Sequence, residues 1–129
     1  MIHAEIPYFD TGIELDQARG TVVVHNTVVQ PASAFSSIDY RFANTDVTIR
    51  NNIVRNITVR NSAAGTVENN LETDATDYFV DPGNRDYHLS PGAASAIDTG
   101  TPVPEAGLDM DGQSHDNGPP DLGADEYYP

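Results

Sequence analysis

The chain has 129 residues, a length that suits one domain, with six arginines, no lysine and 20 acidic residues for a formal charge of -14. So negative a surface repels phosphate backbones and anionic lipid; it argues against nucleic-acid and membrane partners and favours cations, Ca²⁺ first. The absence of cysteine excludes a disulfide scaffold, a thiolate zinc site and a cysteine nucleophile, and no apolar run approaches the length of about 20 residues that a membrane-spanning helix needs.

Residues 1–19 open with Met1-Ile2-His3-Ala4-Glu5, which has neither a basic region nor an apolar core, so no export signal is expected in this stretch. Ile6, Tyr8, Phe9 and Ile13 surround Pro7, which hinders strand pairing. The stretch is expected to be a lid over the following segment, or its first coil.

Residues 20–72 are rich in Val, Ile, Thr and Asn and contain a recurring pattern. Val22-Val23-Val24-His25-Asn26-Thr27-Val28-Val29 aligns without gaps on Val47-Thr48-Ile49-Arg50-Asn51-Asn52-Ile53-Val54. Thr66-Val67-Glu68-Asn69-Asn70-Leu71 is a third copy and Ile57-Thr58-Val59-Arg60-Asn61-Ser62 a partial one. Each copy is a short β-branched run, a polar Asn step and another apolar run. Helix is disfavoured because β-branched side chains lose freedom there and nothing repeats at 3.6 spacing. Repeats of roughly 20 to 50 residues indicate a solenoid. Asparagine tolerates the left-handed backbone of a corner, and its amide can bond the equivalent amide one level away. Between corners Val22, Val24, Ile49 and Val67 are expected to point inward. The predicted fold is all-β, a short right-handed parallel β-helix of about three to four coils. A β-sandwich is the alternative, since its strands are also short and separated by turns.

Residues 73–129 form the third region, predicted to be an irregular acidic capping segment of the same single domain. From Glu72 onward there are 13 acids against one arginine, Arg85. Asp86-Tyr87-His88-Leu89-Ser90-Pro91-Gly92-Ala93-Ala94-Ser95-Ala96-Ile97-Asp98-Thr99-Gly100 stands near its start. Leu108-Asp109-Met110-Asp111-Gly112 and Pro120-Asp121-Leu122-Gly123-Ala124-Asp125-Glu126-Tyr127 follow. Together these resemble the C-terminal ending of bacterial right-handed parallel β-helix proteins of the pectate-lyase-like and choice-of-anchor Q type. The resemblance implies relatives that are usually extracellular and act on polysaccharides. In place of the arginine that often follows the Asp-Gly step in that ending, this chain has Gln113-Ser114-His115.

Three groups of residues are candidates for chemistry. Arg50 and Arg60 occupy related places in the repeat and are expected side by side, where they would bind acidic sugars; the alternative is pairing with Glu68 and Asp46. Asp109, Asp111 and Asp116 alternate around glycines and could supply oxygens to one Ca²⁺, or cap tight turns with their own amides. Asn44-Thr45-Asp46 is similar to a polygalacturonase motif but lacks its companion carboxylates, and reads as a turn. His3, His25, His88 and His115 are dispersed without ligand spacing; His25 is expected to face solvent, while Tyr87 and Leu89 beside His88 are expected to pack inward. An open solenoid end exposes apolar side chains and free strand edges. Residues 78–128 are expected to cover the C-terminal end, and either the N-terminal stretch as a lid or a homo-oligomer to cover the other. The expected function is a non-catalytic β-helix module that contacts carbohydrate or associates with itself. The alternatives are a minimal Ca²⁺-dependent polysaccharide lyase acting on uronate polymers, and an inactive fragment of a longer β-helix protein.

Overall fold

The valine- and isoleucine-rich runs are strands, and the protein is all-β. The computed structural model describes residues 1–115 and 118–129, with no α-helix among them and a single 3-10 turn at Pro82–Asn84. Ten strands precede that turn's hairpin: β1 (Ile2–His3), β2 (Thr11–Asp16), β3 (Arg19–Val24), β4 (Val28–Val29), β5 (Ser36–Arg41), β6 (Asp46–Arg50), β7 (Ile53–Val54), β8 (Ile57–Arg60), β9 (Ala64–Glu68) and β10 (Leu71–Glu72). Consecutive strands in this set do not pair with each other. Instead β2-β5-β8 and β3-β6-β9 form two parallel sheets, β1-β4 and β7-β10 pair in parallel, and a Thr27–Ile53 bridge joins those last two pairs. The hairpins that a β-sandwich requires are absent across residues 20–71. Among the described strands only β11 (Phe79–Asp81) and β12 (Asp86–Leu89) pair antiparallel, beside an isolated antiparallel bridge between Leu108 and Ser114.

Left-handed residues stack at the bends. His25, Asn51 and Asn69 have φ of 52, 56 and 54° where β3, β6 and β9 end. Beside them runs an amide ladder. Asn52 Oδ1 accepts from the Asn26 backbone N–H at 2.9 Å, and Asn70 Oδ1 accepts from that of Asn52 at 3.1 Å. Asn52 has no exposed surface, and its Nδ2 also donates to the Val23 and Arg50 carbonyls. Side-chain amides thus satisfy backbone groups that the bends take out of the sheets.

The gapless alignment of the first two copies is wrong by one residue. Val23, not Val24, pairs with Ile49, and Val22 pairs with Thr48. From Thr21 onward the strands pair at an offset of 26 rather than 25; a separate irregularity lies between Arg19 and Thr21, where Gly20 bulges outward with φ of +66°. Consequently Val23, Ile49 and Val67 form the inward column, whereas Val22 is exposed and Val24 half-buried. His25 takes the corner expected for Asn26.

The sheets enclose one apolar cluster, built on Val23, Val28, Ile38, Tyr40, Val47, Ile49 and Val54. Ile38 and Ile49 are wholly buried, a stabilisation of about 1.5–3 kcal/mol each. A second cluster forms on the outer face of β7, where Ile53 meets Phe79, Tyr87, Leu89, Ala93, Ala96 and Leu122. This fixes the place of the acidic segment, and it is not the end of the sheets. Gly123 N–H donates to the Asn51 carbonyl at 2.8 Å, Ala124 N–H to Thr27 Oγ1 at 3.0 Å, and Asn69 Nδ2 to the Thr99 carbonyl at 3.2 Å. The segment lies along the flank, across the bends of successive levels. All five residues of β9 remain exposed, so the expected cover over the C-terminal end is missing. The physical reason is that Ile53 and Leu71 turn their side chains outward and give the segment an apolar surface on the flank.

Candidate functional site

The two sequence-selected arginines lie in different sheets. Arg50 on β6 is ion-paired with Glu68, its register neighbour on β9. Arg60 on β8 donates through Nε to Asp39 Oδ1 at 3.0 Å and through Nη2 to Asp39 Oδ2, a two-pronged contact with a fully buried carboxylate. Its guanidinium also covers the Phe35 ring at 4.9 Å. They do not stand side by side, and the partner of Arg60 is Asp39 rather than Asp46. The lateral neighbour of Arg60 is Arg41, which pairs with Glu14 and Asp16.

The acidic triplet separates as well. Asp109 is buried and acts as a turn cap: Oδ1 accepts from the Asp111 and Gln113 backbone amides at 2.9 and 2.7 Å, and Oδ2 from that of Glu126 at 3.3 Å. Asp111 leaves this turn and faces His88 on β12, with Nε2 to Oδ2 at 2.9 Å. Asp116 lies outside the described residues. Three side chains from three separate places converge here: His88, Asp111 and Asp125 each offer a ligand atom, all within 4.8 Å of one another. Strand alternation explains the presentation. Tyr87 and Leu89 turn into the second cluster, as expected, and leave His88 on the outer face. Asp86 Oδ1 contacts His88 Nδ1 at 2.5 Å, a hydrogen bond that lowers the Asp86 pKa and, with Asp111, raises that of His88. Asp125 is 5% exposed, and its Oδ2 accepts from the Leu89 backbone N–H at 2.6 Å. Burial, with Asp109 and Asp111 close by, pushes its pKa up to about 6. The cluster opens into a cleft of about 340 Å³ bordered by Val80, Pro91 and Tyr127.

No family model, curated protein sequence or solved structure matches the chain.

A second polar group is sealed between the sheets and the flank segment. His25 is 8% exposed, contrary to the solvent-facing expectation, and its ring lies 4.3 Å from that of His115, centroid to centroid. His115 Nδ1 meets Glu126 Oε2 at 2.9 Å, and the same oxygen accepts the Asp121 backbone N–H at 3.0 Å. Burial raises the pKa of Glu126 and of Asp121. Sequence reasoning did not find the convergence of His88 with Asp111 and Asp125, because the residues come together only when the flank segment folds back on itself. The one local signal was the alternation Tyr87-His88-Leu89, which places the imidazole opposite two core residues.

Proposed function

We propose that the chain is a short right-handed parallel β-helix of three to four coils. It acts as a non-catalytic module that joins copies of itself end to end. The parallel ladders and the left-handed bends repeated at each level support the winding. Arg50 and Arg60, each held by a carboxylate, suit a structural part better than that of a cationic base. The observation that carries the reading is the bare end formed by β8 and β9. Val59 and Val67, on the same columns as buried Tyr40 and Ile49, are 54% and 38% exposed there. The outer edge of β9 also presents unpaired backbone groups, a template for a parallel strand. The edge available for it is that of β2 and β3 in another copy, which makes the contact head-to-tail and open-ended.

Light scattering and sedimentation across a concentration series test this. Mass is expected to rise with concentration, more steeply at high salt where the charge of -14 is screened. The double substitution Val59→Asp with Val67→Asp is expected to return the protein to monomer, with circular dichroism reporting an intact fold. A monomer at every concentration and salt, or association indifferent to that substitution, would overturn the proposal.

A further inference from the structure

We propose that His88, Asp111 and Asp125 bind one divalent first-row transition-metal cation of the Zn²⁺ or Mn²⁺ kind. The inference is independent of end-to-end association, since the site lies on the flank segment and its hairpin. Three ligand atoms already lie within 4.8 Å of one another, so modest side-chain rotation closes them onto an ion at about 2.0–2.2 Å. Asp86 accepts from Nδ1 of His88, which turns Nε2 toward Asp111. A carboxylate on the far nitrogen is the arrangement that orients imidazole ligands and strengthens their donor nitrogen. Asp125 is buried with Oδ2 fixed by the Leu89 amide, and no hydrogen bond among the described residues engages its Oδ1. Asp125 borders the cleft, where that second oxygen can meet a cation. Asp86, Asp109, Asp111 and Asp125 together outweigh the single imidazole, so the local field favours positive charge.

The donor set also chooses among cations. Ca²⁺ takes six to eight oxygens, and Asp109, which would supply two more, has both oxygens occupied by backbone amides. One imidazole with two carboxylates suits Zn²⁺ or Mn²⁺ better. Three protein ligands leave coordination positions facing the cleft, open to water or to a small anionic ligand.

Titration calorimetry of the chelator-treated full chain at neutral pH tests the site with Zn²⁺, Mn²⁺ and Ca²⁺ in turn. Zn²⁺ is expected to bind as a single equivalent and more tightly than Ca²⁺. His88→Ala and Asp111→Asn, both at exposed side chains, are each expected to weaken it at least about tenfold. Asp74→Asn, remote from the cluster, is expected to leave it unchanged. Co²⁺ should give a visible absorption band with the unaltered protein and lose it with His88→Ala. No uptake, several weak equivalents, uptake that survives His88→Ala, or tighter binding of Ca²⁺ overturns the assignment.

Discussion

His25 is held neutral from both sides of its ring. Asn51 Nδ2 donates to Nε2 at 3.0 Å, which leaves the proton on Nδ1, and Nδ1 donates to the Asp121 carbonyl at 3.0 Å. A second proton on Nε2 would face the Asn51 amide hydrogens. Burial, with His115 beside it, lowers the pKa to about 4. The folded value lies below the unfolded 6.5, so the contribution to stability is full above about pH 6.5 and is lost as pH falls toward 4. The shift corresponds to about 3 kcal/mol. Asp125 acts in the opposite sense: its raised pKa favours the folded state at low pH, and that stabilisation is lost as pH rises through about 6. The acid profile of the whole protein therefore mixes opposing slopes, and a difference curve separates them. Urea unfolding of the protein and of His25→Asn should show a stability gap that shrinks by about 3 kcal/mol between pH 6.5 and 4. A gap independent of pH would contradict the buried neutral ring. Nothing near His25 in sequence announces this burial, because Asp121 arrives from 96 residues away.

Strand type was legible in the chain, and so was the pairing of β6 with β9, whereas the β2-β5-β8 sheet was not. Asn51 and Asn69 stand 18 residues apart, and that is the offset at which β6 meets β9 and Asn52 meets Asn70. The offset of the first repeat was not legible, because three consecutive valines at 22–24 and the asparagine pair at 51–52 fit an offset of 25 as well as one of 26. The flank segment was legible as one closing unit through its Asp-Tyr-His-Leu and Asp-Leu-Gly-Ala steps, but not in its location. Side-chain alternation in a two-residue strand such as β7 gives no hint of which face a later segment will cover. Gly123 is where the segment meets the sheets most closely. Its φ is +92°, and a methyl group there would sit 2.6 Å from Thr27 Oγ1 and 2.8 Å from Ile53 Cδ1. Gly123→Ala should cost about 2–4 kcal/mol, combining backbone strain with overpacking. Limited proteolysis should then cut residues 90–129 while the parallel sheets persist by circular dichroism. Unchanged protection would show that the close approach is dispensable.

Across the whole molecule charge is divided as unevenly as structure. Five arginines are ion-paired, Arg41, Arg50, Arg55, Arg60 and Arg85, and the flank segment still carries most of the acids. Exposed pairs contribute little, so self-repulsion within the segment is the larger electrostatic effect. Raising salt from about 0.01 to 0.1 M shortens the screening length from about 30 to 10 Å. The Tm of dilute protein should rise over that range; a fall would mean that the ion pairs dominate. Among the described residues no helix is long and apolar enough to cross a membrane.

One tie spans nearly the full chain: residues 121 and 124 fasten to His25 and Thr27, at separations of 96 and 97. During synthesis the ribosome releases the early strands long before the partners that fasten them. Until those partners emerge, the parallel strand pairs lack these ties and can form and fray. Closure then converts loosely linked levels into a single cooperative unit, and it waits until residues 121–124 have emerged.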